Sequence, residues 1–180
     1  MIWGEVSLRS GRKLYLGSFY RTPSGNPETQ LDGLAASLRD LNKITRNRRD
    51  AIITLGGDFN FGDIRWEDGT VPPGSTGRTH CQRFIDILHE NHLAQMQREP
   101  TRGARLLDLF ITNQPSLVKA MSTVPSMSDH DGAIVADSDV IPTHNKKTPR
   151  KVYVFLKANW DKMREDVSRF SSTFLTTYKK

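Results

Sequence analysis

Apolar and polar positions change period several times along the chain, and each change marks an element. Residues 1–9 alternate loosely, with Ile2, Gly4, Val6 and Leu8 in one row and Trp3, Glu5, Ser7 and Arg9 in the other. Ser10-Gly11-Arg12-Lys13 and then Leu14-Tyr15-Leu16-Gly17-Ser18-Phe19-Tyr20 follow. Two apolar segments around a Ser-Gly turn predict a β-hairpin. The Pro and Gly of residues 21–27 predict a loop. Leu31, Leu34, Ala35, Leu38, Leu41 and Ile44 then fall at helical spacing and predict an amphipathic helix. Its basic end, Arg46, Arg48 and Arg49, suits the helix dipole and needs no nucleic acid to explain it. Ala51-Ile52-Ile53-Thr54-Leu55, closed by Gly56-Gly57, predicts a short buried strand.

Residues 62–78 are rich in Gly, Pro, Asp and Thr and predict a long loop. Cys81, Phe84, Ile85 and Leu88 mark a second helix, and residues 106–112, 119–124 and 132–136 predict further strands. This order of strands and helices reads as an α/β fold. Residues 144–151, His-Asn-Lys-Lys-Thr-Pro-Arg-Lys, predict a linker. Trp160, Met163, Val167, Phe170 and Phe174 follow at spacings of three and four. They predict a helix with one apolar stripe that packs on something, a membrane surface being the alternative.

Charge sharpens this division. The 180 residues hold 26 Lys and Arg against 20 Asp and Glu, a net charge of +6. Residues 141–180 hold ten basic and three acidic residues, and residues 1–140 hold sixteen and seventeen. The body is near neutral and the tail is basic, so the overall charge does not make the whole chain a nucleic-acid binder. Cys81 is the only cysteine, which excludes an internal disulfide and a Cys-rich zinc site. No apolar run approaches the roughly 20 residues of a membrane span. The first residues show no basic region leading into an apolar stretch, so the expectation is a nuclear or cytoplasmic protein that is not secreted.

Three places carry candidate chemistry. Gly56-Gly57-Asp58-Phe59-Asn60 ends a strand in a tight turn with two polar side chains at i and i+2. On a strand such positions share a face, so Asp58 and Asn60 would project together from the sheet's carboxyl edge. An acid beside an amide can hold a hydrated Mg²⁺, orient a water or donate to a phosphate; the pair can equally cap backbone groups of the turn. Ser128-Asp129-His130 places an acid and an imidazole just before a strand, where His130 could act as base or as cation. Asp108 sits within the apolar run Leu106–Thr112, where a carboxylate needs a partner, and His130 is a natural one. Weaker candidates are Tyr20, which closes a strand, and His89-Glu90-Asn91-His92, whose spacing is wrong for a zinc-binding helix.

Together these motifs are more specific than any alone. Phe19-Tyr20-Arg21-Thr22-Pro23, then Gly56-Gly57-Asp58-Phe59-Asn60 with Asp63-Ile64-Arg65-Trp66, then Thr101-Arg102 leading to Leu106-Leu107-Asp108-Leu109, then Ser128-Asp129-His130, come in that order. The sequence resembles the endonuclease/exonuclease/phosphatase superfamily over residues 1–137, and within it the endonuclease of LINE-type non-LTR retrotransposons. The resemblance implies part of a two-sheet α/β sandwich of the DNase I-like kind, and Mg²⁺ or Mn²⁺ as cofactor. It implies DNA as partner, and a reverse transcriptase domain in a longer polyprotein. It assigns Tyr20, Asp58, Asn60, Asp108 and His130 to catalysis, Asp129 to the metal, and Thr101 and Ser128 to substrate contact.

The family's first lobe carries an early Asn and a metal-binding Glu, and nothing before Tyr20 matches them. The resemblance therefore implies an N-terminally truncated domain at 1–137, a basic linker at 138–157 and a helical tail at 158–180. It also implies weak or no nuclease activity for this chain, an exposed apolar sheet face and unpaired strand edges. Two further readings stand beside the endonuclease. One is an inactive retroelement fragment that at most binds nucleic acid; the other is a superfamily phosphatase acting on a small phosphate ester.

Overall fold

The structure, a computed structural model, describes residues 1–48, 50–125, 132–143 and 155–177. Two units are separable, Met1–Thr143 and His144–Lys180.

The first unit begins with the expected hairpin. Strands β1 (Ile2–Ser7) and β2 (Lys13–Tyr20) pair antiparallel, with Ile2 opposite Ser18 and Ser7 opposite Lys13. Burial does not follow a single row of β1: Trp3 and Val6, from different rows, are half-buried, and Leu8 beyond the strand is buried. Trp3 packs against the core and its indole Nε1 donates to Ser37 Oγ at 2.9 Å, while Ile2 is 77% exposed.

Helix α1 (Pro27–Thr45) starts where Asn26 accepts from the Thr29 amide at 3.1 Å, with Pro27 in its first turn. Leu31, Leu34, Leu38 and Leu41 are buried, while Ile44, the last residue of the expected stripe, is exposed. The helix crosses over to strand β3 (Ile52–Asp58), which pairs parallel with β2. A parallel pair requires such a crossover. Helix α2 (Arg78–Glu90) follows the long loop and buries Cys81, Phe84, Ile85 and Leu88. Arg83 ties the two helices by pairing with Glu28 and Asp32.

Strand β4 (Ala94–Gln95), too short to show a period, pairs with β5 (Asp108–Thr112), which runs antiparallel to β3. The sheet order is β1-β2-β3-β5-β4. Strands β6 (Val118–Pro125) and β7 (Gly132–Ser138) form a separate antiparallel pair.

The core lies on one face of the five-stranded sheet. Phe84 stands at its centre, with ring centroids 5.2 Å from Phe59, 4.8 Å from Phe61 and 6.2 Å from Trp66. Each such side chain removed from water contributes about 1.5–3 kcal/mol. The opposite face carries Leu14, Leu16, Thr54 and Phe110, and a cavity of about 170 Å³ lies between it and Leu117, Val118 and Ala136. Leu16 remains exposed there.

In the second unit, helix α3 (Trp160–Thr177) forms where the stripe predicts it. Trp160, Met163, Val167, Phe170 and Phe174 are all exposed on it. Among the described residues no helix is long and apolar enough to cross a membrane.

Candidate active site

Strand register builds the site. In the parallel pair Tyr20 lies opposite Asp58, and in the antiparallel pair Asp58 lies opposite Asp108. Phe19, Leu55 and Leu109 are buried on the helix side, so their pleat partners Tyr20, Asp58 and Asp108 stand on the other face. Three side chains thus form a row across adjacent strands, spaced about 4.8 Å from strand to strand. They line one open cleft of about 770 Å³ together with Asn60, Arg102, Phe110 and Ile134.

The strand end is held by a local network. Asp58 Oδ1 accepts from the Asn60 amide at 3.0 Å, and Asn60 Nδ2 donates to the Arg21 carbonyl at 2.8 Å. The capping role open to these residues is therefore real, and it fixes both at the cleft mouth. Asn60 has φ +53°, a left-handed conformation that asparagine tolerates better than most residues. Gly57 has φ +144°, and a Cβ there would come within 1.9 Å of the Phe19 carbonyl oxygen. Only glycine lets β2 and β3 approach this closely just before Asp58.

Arg21 is a residue that sequence reasoning did not single out. It is only 9% exposed, its Nε donates to the Phe59 carbonyl at 2.7 Å, and its Nη2 donates to the Asn60 carbonyl. Its guanidinium lies over the Phe61 ring, 4.3 Å from the centroid. Burial pulls the guanidinium below its ordinary pKa, opposed by the Cys81 and Asp58 side chains. The signal in the sequence was its place directly after Tyr20, which the Pro-rich loop around it obscured.

Thr101 is fully buried. Its hydroxyl oxygen accepts from the amides of Leu107, at 3.1 Å, and Asp108, at 3.0 Å. Its place is under the site, fixing the start of β5, rather than on the cleft surface where substrate contact was expected. Ser128, Asp129 and His130 lie outside the described residues, and so does the expected contact between Asp108 and His130. His89 and His92 are exposed. Burial, reinforced by Asp63 and opposed by Arg21, pushes the Cys81 thiol up.

Asp58 and Asp108 supply two hard oxygen donors in register. One or two carboxylates beside retained waters and substrate phosphates is the usual protein share of a Mg²⁺ site. The donor set at the cleft fits such an ion. Among the described residues no group of three His, Cys, Asp or Glu side chains gathers to form a closed metal cage.

A family model described as endonuclease-reverse transcriptase matches residues 14–134. Among solved structures, the endonuclease domain of TRAS1, a telomere-specific non-LTR retrotransposon, is similar with a TM-score of 0.54. The identity is 14%, over 77% of this chain and 63% of that one. At this identity the likeness concerns the fold, which is the DNase I-like α/β fold expected from the motifs. The chain spans less than two thirds of that domain's length. A search of curated proteins gives no match.

Proposed function

Since the chain belongs to the endonuclease-reverse transcriptase family, we propose that it is the phosphodiester-cleaving part of a non-LTR retrotransposon protein, acting on DNA with Mg²⁺ or Mn²⁺. The observation that carries this reading is the in-register row of Tyr20, Asp58 and Asp108 in one cleft with Asn60. A divalent cation, when bound, supplies charge stabilisation on phosphoryl oxygens. The chain's own residues do the positioning. The exposed Tyr20 hydroxyl donates to the scissile phosphate. Asp58 accepts a hydrogen bond from the attacking water and takes up its proton, and Asn60 aligns that water. Asp108, its amide held by Thr101, orients His130 toward the phosphate, with Asp129 near the cation and Ser128 at the substrate.

Residues 1–137 form the endonuclease part in this reading, 138–157 a basic linker and 158–180 a helical tail. The whole works in the nucleus or cytoplasm alongside a reverse transcriptase domain. Because the chain spans 63% of the TRAS1 domain, the 180-residue polypeptide is expected to be a weak nuclease by itself. The test is nicking of supercoiled plasmid at high protein excess with Mg²⁺. Slow nicking that disappears in both Asp58→Asn and Asn60→Ala supports the reading. No nicking at any concentration, or nicking indifferent to both variants, overturns it.

The second reading, an inactive fragment that binds nucleic acid through its tail, is favoured by the +7 balance of residues 141–180. It expects no nicking, and DNA binding that falls steeply with salt and vanishes when residues 141–180 are deleted.

A further inference from the structure

A second cavity, of about 430 Å³, adjoins the cleft and shares Pro23, Asn60 and Arg102 with it. Its charged lining is Arg21, Arg102 and Arg105 against Asp63, with His80 at the side. His80 is engaged elsewhere, its Nε2 lying 3.4 Å from a Glu28 carboxylate oxygen. Arg21 and Arg105 outnumber Asp63 in this lining, which leaves it cationic.

Neutral groups hold Arg21 in place. Arg21 is bonded to two backbone carbonyls and stacked on Phe61, and among the described residues no carboxylate lies within ion-pair distance of it. Its charge is fixed but not cancelled. Arg105 ends a tight turn in which Arg102 and Arg105 exchange two backbone hydrogen bonds of 3.0 Å. Its side-chain stem lies against Gly62, where a Cβ would sit 3.0 Å from Arg105 Cδ. Glycine at position 62 thus gives Arg105 room at the cavity wall. The first turn of α2, capped by Gly77 without a side-chain acceptor, opens into the same space and adds its positive end. Planar guanidinium groups, buried at Arg21 and exposed at Arg105, are suited to the paired oxygens of a phosphate.

We infer that this cavity is a phosphate subsite, taking a backbone phosphate of the DNA strand whose neighbouring phosphate lies at Asp58. The inference rests on the nuclease reading above. It accounts for Asp58 and Asp108 lining the cleft while Arg21 and Arg105 line the adjoining cavity. A strand running between them meets water-activating groups at one phosphate and an anchoring charge at the next.

The experiment measures anisotropy of a labelled 12-mer DNA with the full 180-residue chain, across a salt series. Arg105→Gln should weaken binding about 3- to 10-fold and reduce the slope of log affinity against log salt by about one. Asp63→Asn should strengthen binding, because it removes the one carboxylate in the lining. Arg39→Gln, on the exposed side of α1, should leave the slope unchanged. Thermal melts confirm that each variant folds. Equal slopes for Arg105→Gln and Arg39→Gln, or weaker binding by Asp63→Asn, overturn the subsite. The 12-mer is tested with and without a 5′-phosphate. An Arg105 effect confined to the phosphorylated oligonucleotide would overturn the backbone assignment in favour of a terminal phosphate. Nicking by Asp58→Asn is read separately. Intact Asp58 dependence with no Arg105 effect sinks the subsite alone, whereas loss of Asp58 dependence sinks the nuclease reading beneath it.

Discussion

The two faces of the five-stranded sheet are built from alternate residues of the same strands, yet they do different work. On the helix face Phe19, Leu55, Leu109 and Ile111 meet α1 and α2 and are buried. One residue along, Tyr20, Gly56, Asp58 and Phe110 line an open cleft. The first set gains stability from contact. The second sets Tyr20 and Asp58 in a fixed register on the cleft wall. Stability and chemistry are separated by one step of the pleat, so substitutions on the two faces should separate them experimentally.

The largest effects should come from crossing the functions. Phe84→Ala removes the ring that Phe59, Phe61 and Trp66 surround. It should cost about 3–5 kcal/mol of stability, read from urea denaturation. Asp58→Asn, by contrast, should keep the denaturation midpoint within the change expected of a surface substitution while nicking falls by about 10²-fold or more. A large loss of stability in Asp58→Asn would break the proposed separation of the faces. Thr101→Val sits between the two, because its hydroxyl serves the site from beneath. It leaves the amides of Leu107 and Asp108 without their acceptor, at a cost of about 1–3 kcal/mol. Stability and nicking should fall together in that variant. The smallest effect is expected of Leu16→Ser, on the exposed part of the cleft-side face, with a stability change within about 0.5 kcal/mol. A melt that drops sharply would mean that this face is covered in solution.

Much of this division was legible in the residues. The hairpin and both sheet-covering helices follow from periodicity, and the buried third strand from a short apolar run closed by glycines. Asp58 and Asn60 stood out because glycines before them announced a strand end. What escaped depends on contacts distant in sequence. Strand β4 has two residues and no period to read. Arg21 acquires its role only when a loop 38 residues later returns to it. Thr101 looked like a surface contact because the motif says nothing of burial, and its hydroxyl is consumed by backbone amides further along the chain. The stripe on α3 shows the converse. Its periodicity correctly predicted a helix, but periodicity alone does not say what covers the apolar side, and those residues are exposed.

The in-register row of Tyr20, Asp58 and Asp108 also bears on heredity. Because side chains alternate along a strand, one codon inserted between Leu14 and Tyr20 would turn Tyr20 toward the helices and Phe19 toward the cleft. Two inserted codons would restore the face but displace the hydroxyl by about 7 Å along the strand. Neither change alters the composition of the motif itself. Insertions in the loop at residues 62–78 carry no such penalty in phase. Length variation among related sequences should therefore accumulate in that loop, while the three strands that carry the row keep an unchanged residue count.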